Sequence, residues 1–300
     1  MNGSAKPAVQ RLRGNVALVL TAMIWGCAFA AQSAAADSIG PWLFNGIRFL
    51  MGGAEVLLLS PFLHQITGIQ ARKPDRRLFA AGSCAGAVLA FASVLQQAGI
   101  RYTTAGKAGF LTSLYVILVP LAEAFLLRKR LPQTAFPAAL TAAAALFLLS
   151  GAETGTISRG DLLEILCACA FAGHILIIDR VSDSVDPICF SAVQFLAAGV
   201  ISMAGAVLLE PFSWSGIQKA MIPLLYAGLA SAGLGYTLQV IGQRDADPSA
   251  VSVILSLESV FSVLFGYLLL HEVLSIRELA GCALMFAAVL LSQRKAKGER

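Results

Sequence analysis

The sequence predicts an all-α membrane protein with ten transmembrane helices arranged as two inverted five-helix repeats. Three observations carry this prediction: the composition, the spacing of long apolar runs, and the likeness between the two halves of the chain. Of the 300 residues, 57% are hydrophobic and only 13% are charged, and the mean hydropathy is +0.76. Soluble domains carry about a quarter charged residues. A soluble core of this size does not bury so much apolar sequence, so the excess is expected to face lipid.

Ten apolar runs are long enough, or nearly so, to cross a bilayer, which takes about 20 residues of helix. Short segments containing Gly, Pro and charged residues separate these runs. Glu164 interrupts the sixth run, and Arg277 and Glu278 interrupt the tenth. The predicted spans are residues 14–36, 39–63, 78–100, 103–127, 131–152, 162–178, 187–209, 220–243, 248–270 and 274–292.

The basic residues between the spans predict the orientation. With the N-terminus in the cytoplasm, sixteen lysines and arginines fall in cytoplasmic segments, whereas Arg101, Arg159, Lys219 and Arg277 fall outside. Basic residues collect on the cytoplasmic side of membrane proteins. We therefore expect a multi-pass protein of the cytoplasmic (inner) membrane with both termini inside. The first run is too long for the apolar core of a signal peptide, so no cleavage is expected.

The two halves of the chain resemble each other. Residues 27–30 recur as residues 169–172, and residues 95–149 align without gaps to residues 143 positions further on. This alignment matches Gln96 with Gln239 and Ser113 with Ser256. Each half holds five spans, an odd number, so the second half is expected to lie inverted. Inverted repeats commonly build transporters whose binding site lies between the halves.

Several local patterns of the chain together match those of a known family. They are Trp25-Gly26, Phe29, Arg48-Phe49, the segment 102–112, Tyr115, Val119-Pro120, Leu257-Glu258-Ser259-Val260 and Glu272. In these patterns the chain resembles the drug/metabolite transporter superfamily, in its EamA-domain branch. Two positions depart from the family pattern: Ser259 stands where proline is usual, and residues 128–130 are basic where the family usually carries an acid.

The resemblance implies a protein without a bound cofactor that moves amino acids, drugs or other small metabolites, often outward. It also implies that spans one to four and six to nine surround a central cavity, with spans five and ten outside. The expected organisation is an N-terminal cytoplasmic tail (1–13), a first EamA-type repeat (14–152), a second EamA-type repeat (153–293) and a basic cytoplasmic tail (294–300).

Polar groups inside the spans are functional candidates, because an unpaired polar group in lipid costs free energy. Tyr236, Gln239 and Gln243 fall on one helix face, which indicates a water-accessible groove, and the repeat makes Gln96 the equivalent of Gln239. Hydrogen bonding between helices is the alternative interpretation. The predicted substrate-binding residues are Trp25, Gln96, Lys107, Tyr115, His174, Tyr236 and Gln239. For Lys107, near a span end, snorkelling to water is the alternative.

Glu258 is the predicted proton-coupling residue. It lies ten residues into span nine, about 15 Å deep and therefore near the bilayer midplane. An ionised carboxylate there needs hydration or a partner, and a cation such as Lys107 or a substrate ammonium would favour ionisation. A group balanced in this way can exchange a proton for a cationic substrate. The structural alternative is a hydrogen bond between helices, or one to Ser256 or Ser259.

Three further features are interpreted as structural. Arg48 and Glu55 lie seven residues apart on one face of span two, so we expect a salt bridge between them, or capping of backbone carbonyls by Arg48, in preference to a substrate role. Glu123 is expected to pair with the basic residues at 128–130. All six cysteines lie in apolar runs and are interpreted as small packing residues.

The sequence also limits the function classes. It contains no H-E-x-x-H, G-x-S-x-G or phosphate-binding G-x-x-x-x-G-K-[ST] motif, and its loops are too short for the nucleotide-binding domain of a primary pump. We expect a secondary transporter, not an enzyme, with no metal or other cofactor and no nucleic-acid partner. Its expected partners are a small-molecule substrate and membrane lipid, and a homodimer is left open. A polytopic membrane enzyme and a channel remain alternatives.

Overall fold

The computed structural model describes residues 8–102, 105–129, 131–149, 158–244, 246, 248–270 and 275–292, and nearly all of them are helical. A 3₁₀ turn at Ile100–Tyr102 prolongs α3, a π-helical turn at Ala122–Leu126 prolongs α5, and a π-helical segment at Tyr226–Tyr236 joins α10 to α11. The helices are α1 (Ala8–Ala36), α2 (Pro41–Thr67), α3 (Arg76–Gly99), α4 (Ala105–Thr112), α5 (Tyr115–Leu121), α6 (Ala135–Leu149), α7 (Arg159–Val181), α8 (Pro187–Leu209), α9 (Trp214–Lys219), α10 (Met221–Leu225), α11 (Thr237–Gln243), α12 (Pro248–Leu255), α13 (Leu257–Leu270) and α14 (Ile276–Ser292).

Eight helical stretches within these residues are long and apolar enough to cross a membrane. They correspond to predicted spans one to four and six to nine, so those predictions are confirmed. The sixth span forms as the continuous helix α7 despite its buried Glu164. Predicted spans five and ten are the shorter helices α6 and α14, with 15 and 17 residues. The protein is therefore a multi-pass membrane protein.

Two spans are interrupted at equivalent positions. In span four, Ser113 and Leu114 separate α4 from α5, and in span nine Ser256 separates α12 from α13. At these places the backbone tightens: the N–H of Leu114 donates to Leu111, and the N–H of Ser259 donates to Ser256, three residues back. Irregular backbone at membrane depth is tolerated where it is buried in protein or lines a cavity. We call these places the joint of span four and the joint of span nine.

The helices pack in pairs that repeat between the two halves. Helix α2 packs along α8, and α6 packs along α14, so in both of these pairs a span contacts its equivalent in the other half. The eighth span is the equivalent of α3. Helix α3 packs on α7, and the eighth span packs in the same way on α1, the equivalent of α7. Helix α3 also packs on α8, and the eighth span packs on α2, the equivalent of α8. This exchange of partners is what a two-fold relation between the halves produces.

Polar clasps join α2 and α8 at both ends. At one end, the Glu210 carboxylate accepts hydrogen bonds from the backbone N–H groups of Trp42 (2.8 Å) and Leu43 (2.9 Å). At the other end, His64 Nε2 lies 2.7 Å from Asp186 Oδ2, and Asp186 caps the start of α8. The start of each helix thus meets the end of the other. The pair is antiparallel, as two inverted repeats require.

The two clasps are equivalent in position but different in chemistry. Helices α2 and α8 both begin at a proline, which suits the first turn because its missing N–H would have no helical partner. His64 follows Pro41 by the same number of residues as Glu210 follows Pro187. The clasp at His64 lies on the face that also carries the loop basic residues Arg72 and Lys129, and we call this end of the bundle the basic face.

Candidate functional site

A narrow cavity lies between the two halves, next to both joints. Together with the solvent space at its mouth, it encloses about 440 Å³ of empty volume. Spans one to four, six, eight and nine supply its walls, whereas the described parts of α6 and α14 do not, in agreement with the predicted outer position of spans five and ten. Span seven was also predicted to border the cavity, but none of the lining residues belongs to it. The lining residues are Trp25, Ala28, Phe29, Gln32, Arg48, Gln96, Thr112, Tyr115, Phe171, Ile175, Ser231, Tyr236, Gln239, Leu255 and Glu258.

Tyr236 stands at the centre of the aromatic wall of this cavity. Its ring centroid lies 4.4 Å from that of Trp25 and about 6 Å from those of Phe49, Phe195 and His174. These tilted and edge-on arrangements are the ones that aromatic rings prefer. The wall is therefore well packed, and Trp25 and Tyr236 are the members of this group that line the cavity.

The π-helical segment before Tyr236 explains how span eight fits against α1. A π-helix is looser than an α-helix and occurs often at functional sites. Two side chains of α1 donate hydrogen bonds to carbonyl groups of this segment: Thr21 Oγ1 to Gly235 O at 3.0 Å, and Trp25 Nε1 to Ser231 O at 3.4 Å. In this way the irregular segment fixes the orientation of Trp25.

Glu258 forms the acidic pole of the cavity. Its Oε1 accepts hydrogen bonds from Ser113 Oγ (3.0 Å) and Tyr115 Oη (2.9 Å), which flank Leu114 in the joint of span four. A further contact of 3.2 Å joins the hydroxyls of Ser113 and Ser259. One carboxylate of the second half thus holds the interrupted helix of the first half.

A second buried carboxylate, Glu164 of α7, reaches the same joint from another side. Thr112 Oγ1 donates to Glu164 Oε2 at 2.8 Å, and Gln96 Nε2 lies 3.4 Å from Thr112 Oγ1. Glu164 Oε1 is buried and has no hydrogen-bond partner within the described part of the chain, and a Cβ added at Gly99 would meet it at 2.6 Å. Because glycine leaves room there, the carboxyl group fits at the crossing of α3 and α7.

Arg48 forms the basic pole. It is 1% exposed, and its guanidinium lies over the rings of Phe49 (4.5 Å) and Phe44 (5.6 Å) and beside the Tyr236 hydroxyl. Each cation–π contact contributes about 0.5–2 kcal/mol, whereas a buried charge left without a partner costs several kcal/mol. The protein therefore compensates this charge only in part.

Six of the eight predicted site residues line this cavity: Trp25, Gln96, Tyr115, Tyr236, Gln239 and Glu258. His174 lies one layer behind, with its Nε2 3.0 Å from Gln194 Oε1 and its ring against Tyr236. The side chain of Lys107 lies outside the described part of the structure, although its backbone belongs to α4. Glu272, one of the residues that carry the family resemblance, also lies outside it.

The expected salt bridge between Arg48 and Glu55 is wrong. Spacing of seven residues places both side chains on one face of α2, but about 10 Å apart along the helix axis. Arg48 turns into the cavity, while Glu55 packs against Gly233 of span eight. The equivalent position of α8 also carries a buried polar residue, Gln194. This recurrence of a polar residue in both halves is the feature of the sequence that points to Arg48. Gln32, Thr112 and Glu164 were also not singled out.

The predicted pairing of Glu123 with the basic segment after span four is confirmed. Lys129 Nζ lies 3.3 Å from Glu123 Oε1 and 3.0 Å from Asp179 Oδ2, and Ser249 donates to Glu123 Oε2 at 2.6 Å. Burial alone would lower the pKa of Lys129, but Asp179 and Glu123 outweigh it and raise that pKa. This network ties spans four, six and nine together at the basic face.

A His/Asp/Cys group near the basic face has the residue types of a metal site. The ligand atoms of His64, Asp186 and Cys189 lie within 4.8 Å of one another. However, Asp186 Oδ2 meets His64 and the Arg72 N–H, and its Oδ1 accepts from backbone N–H groups at the start of α8. With these acceptors occupied, the group serves as a helix cap and clasp.

The sequence pattern of the EamA-like transporter family matches residues 12–151 and, a second time, residues 158–293. The chain belongs to this family. The double match also places one EamA unit on each half, as the internal likeness predicted. Membership of the EamA family supports a transporter role for this chain, because similar proteins are named transporters.

The relatives of this EamA-family chain cover most of its length. An uncharacterized transporter of Archaeoglobus fulgidus is 30% identical over 283 residues, 94% of this chain and 86% of the relative. The uncharacterized transporter YoaV of Bacillus subtilis is 23% identical over 92% of this chain and 94% of its own. A solved crystal structure superposes with a TM-score of 0.76 at 19% identity, over 93% of this chain and 96% of that one, which shows a shared fold.

Proposed function

We propose that this EamA-family transporter exports small metabolites, such as amino acids or drugs, by alternating access, and that protonation of Glu258 drives the change. The observation that carries the proposal is the contact of Glu258 with both sides of the joint of span four. The proposed setting is the cytoplasmic membrane, with ten spans, inverted repeats and the basic face in the cytoplasm.

The cavity supports a transport role because its walls come from both repeats. A rigid-body movement of one repeat against the other would open such a cavity to one side and then to the other. The joints lie in spans four and nine, which cross beside the cavity. A small change at a joint would therefore move the helix segments on both sides of that joint. The Glu258 contacts therefore lie where the two repeats would move.

Protonation changes the contacts of Glu258 in a defined direction. Hydrogen bonds to an ionised carboxylate are shorter and roughly twice as strong as those to a neutral group. An ionised Glu258 would hold Ser113 and Tyr115 firmly, and a protonated Glu258 would hold them weakly. Proton binding and release thus favour different positions of span four, which is the requirement for coupling.

Counterflow in proteoliposomes tests the transport role. A thermal-shift screen of the purified chain against metabolites and drugs first selects the compound that raises its stability most. Liposomes loaded with that compound are then diluted into a trace of its labelled form. We expect the label to accumulate transiently above its equilibrium level, and the initial rate to saturate with label concentration.

Protein-free liposomes are the control for passive leakage. A channel would let the label equilibrate without the transient excess, and a membrane enzyme would change the compound chemically without any gradient. Either result would overturn the proposed function.

A further inference from the structure

We propose that Arg48 is an anion subsite of the central cavity, which takes the carboxylate of a small organic acid whose apolar part lies against the aromatic wall. The inference rests on the proposed function, because it names the substrate class of the same cavity. Nothing in the family match or in the names of the relatives assigns this residue a role.

The first observation is unused hydrogen-bonding capacity. Nε and Nη2 of Arg48 are buried and have no hydrogen-bond partner among the residues that the structure describes. Among the described residues, no carboxylate lies within ion-pair distance of this guanidinium. These two nitrogens form one edge of the planar guanidinium, with parallel N–H groups, and that edge matches the two oxygens of a carboxylate.

The second observation is the position of this edge in the molecule. Arg48 lines the cavity together with Trp25, Tyr236 and Phe29, and the rings of Phe44 and Phe49 hold its guanidinium in place. A ligand bound there meets a positive group at one end and aromatic faces along its body. Water is the competing occupant, but it cannot neutralise the charge, whereas a carboxylate does.

The third observation is the contrast with the other repeat. Gln194 occupies the position of α8 that corresponds to Arg48 on α2, as both follow the first proline of their helices by the same number of residues. Gln194 is buried too, and its Oε1 meets His174 at 3.0 Å. The fold therefore accommodates a neutral amide at this place, and only one of the two equivalent positions carries a charge.

The test compares small carboxylates with their own amides. The purified full-length chain is titrated with acetate, benzoate, phenylacetate, hydroxyphenyllactate and phenylalanine, each beside its primary amide, and thermal stabilisation is measured. Replacing a carboxylate by an amide removes the charge and keeps the shape. We expect at least one carboxylate to bind about 10-fold or more tightly than its amide, as is usual for hydrogen bonds to charged groups.

Two substitutions and one control locate the effect. R48Q copies the residue of the other repeat and should abolish the preference for the carboxylate, whereas R48K keeps the charge and should retain part of it. R159Q removes a cation that lies over the Tyr102 ring at 5.6 Å, away from the cavity, and should leave the preference unchanged.

Each outcome decides the proposal. A carboxylate preference that survives R48Q, or the absence of any preference in the wild-type chain across all five pairs, would overturn it. The wild-type comparison needs no variant, so poor folding of R48Q cannot leave the question open. If carboxylate binding at Arg48 holds but counterflow fails, the transport role falls and the subsite stands. If counterflow of another compound succeeds without a carboxylate preference, the reverse is true.

Discussion

The joints of span four and span nine occupy equivalent positions but carry different chemistry. Tyr115 and Glu258 are matched by the alignment of the two halves, and they meet each other directly at 2.9 Å. One repeat thus supplies a phenol where the other supplies a carboxylic acid. The comparison teaches that the repeated scaffold sets where the two helices meet, and that a single unmatched residue provides the carboxyl group to which we assign proton binding.

The surroundings of the two joints extend this contrast. The joint of span four is approached by carboxyl groups from two helices, Glu258 on α13 and Glu164 on α7. At the joint of span nine, Ser256 Oγ donates to the Ser252 carbonyl of its own span at 2.8 Å. A change in the protonation of either carboxyl group would therefore act mainly on span four, although both spans are interrupted at equivalent positions.

The largest expected effect comes from Glu258→Gln, which fixes the neutral form at the meeting point of the repeats. We expect uptake driven by a pH gradient to fall about 10-fold or more, because a lost charge-assisted contact is worth that much. Exchange of substrate for substrate should persist, since it needs no net proton movement. Transport assays in proteoliposomes, with and without an imposed gradient, measure both. Gradient-driven uptake at the wild-type rate in this variant would show that Glu258 does not couple protons to transport, and that the two joints do not differ in this respect.

A smaller effect is expected from Glu164→Gln. This carboxyl group meets only Thr112, through one oxygen, and a glutamine oxygen can accept that bond as well. We predict gradient-driven uptake within about 3-fold of wild type, the size expected when one hydrogen bond is weakened and none is lost. The same assays compare the two variants directly. A complete loss of coupling here would show that both carboxyl groups carry the proton.

The smallest effects concern the clasps of α2 and α8, which lie at equivalent positions but differ in chemistry. His64→Gln and Glu210→Gln should each lower stability by about 1 kcal/mol, or a few degrees in Tm. Nδ1 and Nε2 of His64 lie 2.7 Å from the Ser60 carbonyl and from Asp186 Oδ2. Both are acceptors, so the doubly protonated ring satisfies both.

The cost of His64→Gln should depend on pH. The contribution of His64 is present when the ring is charged and declines as pH rises. Burial alone would raise the pKa of Asp186, but its bonds to His64, Arg72 and Cys189 lower it. Its stabilising contribution is therefore lost only under strongly acidic conditions. Thermal unfolding of the wild-type chain and the His64→Gln variant between about pH 6 and 9 checks the prediction, and a stability difference that stays the same across this range would contradict it.

Much of the fold was readable from the sequence because lipid imposes simple rules on length and composition. The eight confirmed spans follow from apolar runs, and the ungapped match of the halves placed Ser113 and Ser256 at equivalent positions before either was known to interrupt a helix. The starts of α6 at Ala135 and of α14 at Ile276 did not follow, because hydropathy alone does not show at which residue such a helix begins.

The site was readable where the signal was a polar residue in an apolar run. Gln96, Tyr236 and Glu258 were found in this way. Arg48 was misassigned because helical spacing tells which residues share a face, but not whether a long side chain turns along the helix or into a neighbouring cavity. Glu164 lies close to a predicted span end, where a charge is ordinary, and its burial depends on Gly99 of a different helix.

The most direct test of the account is whether substrate moves protons through Glu258. Proteoliposomes containing a trapped pH-sensitive dye receive the compound that stabilises the purified protein most, first with the wild-type chain and then with Glu258→Gln. We expect the compound to change the internal pH in wild-type vesicles and to leave it unchanged in the variant, while substrate exchange continues in both. Equal proton movement in the two preparations would show that coupling does not pass through the contact between Glu258 and the joint of span four.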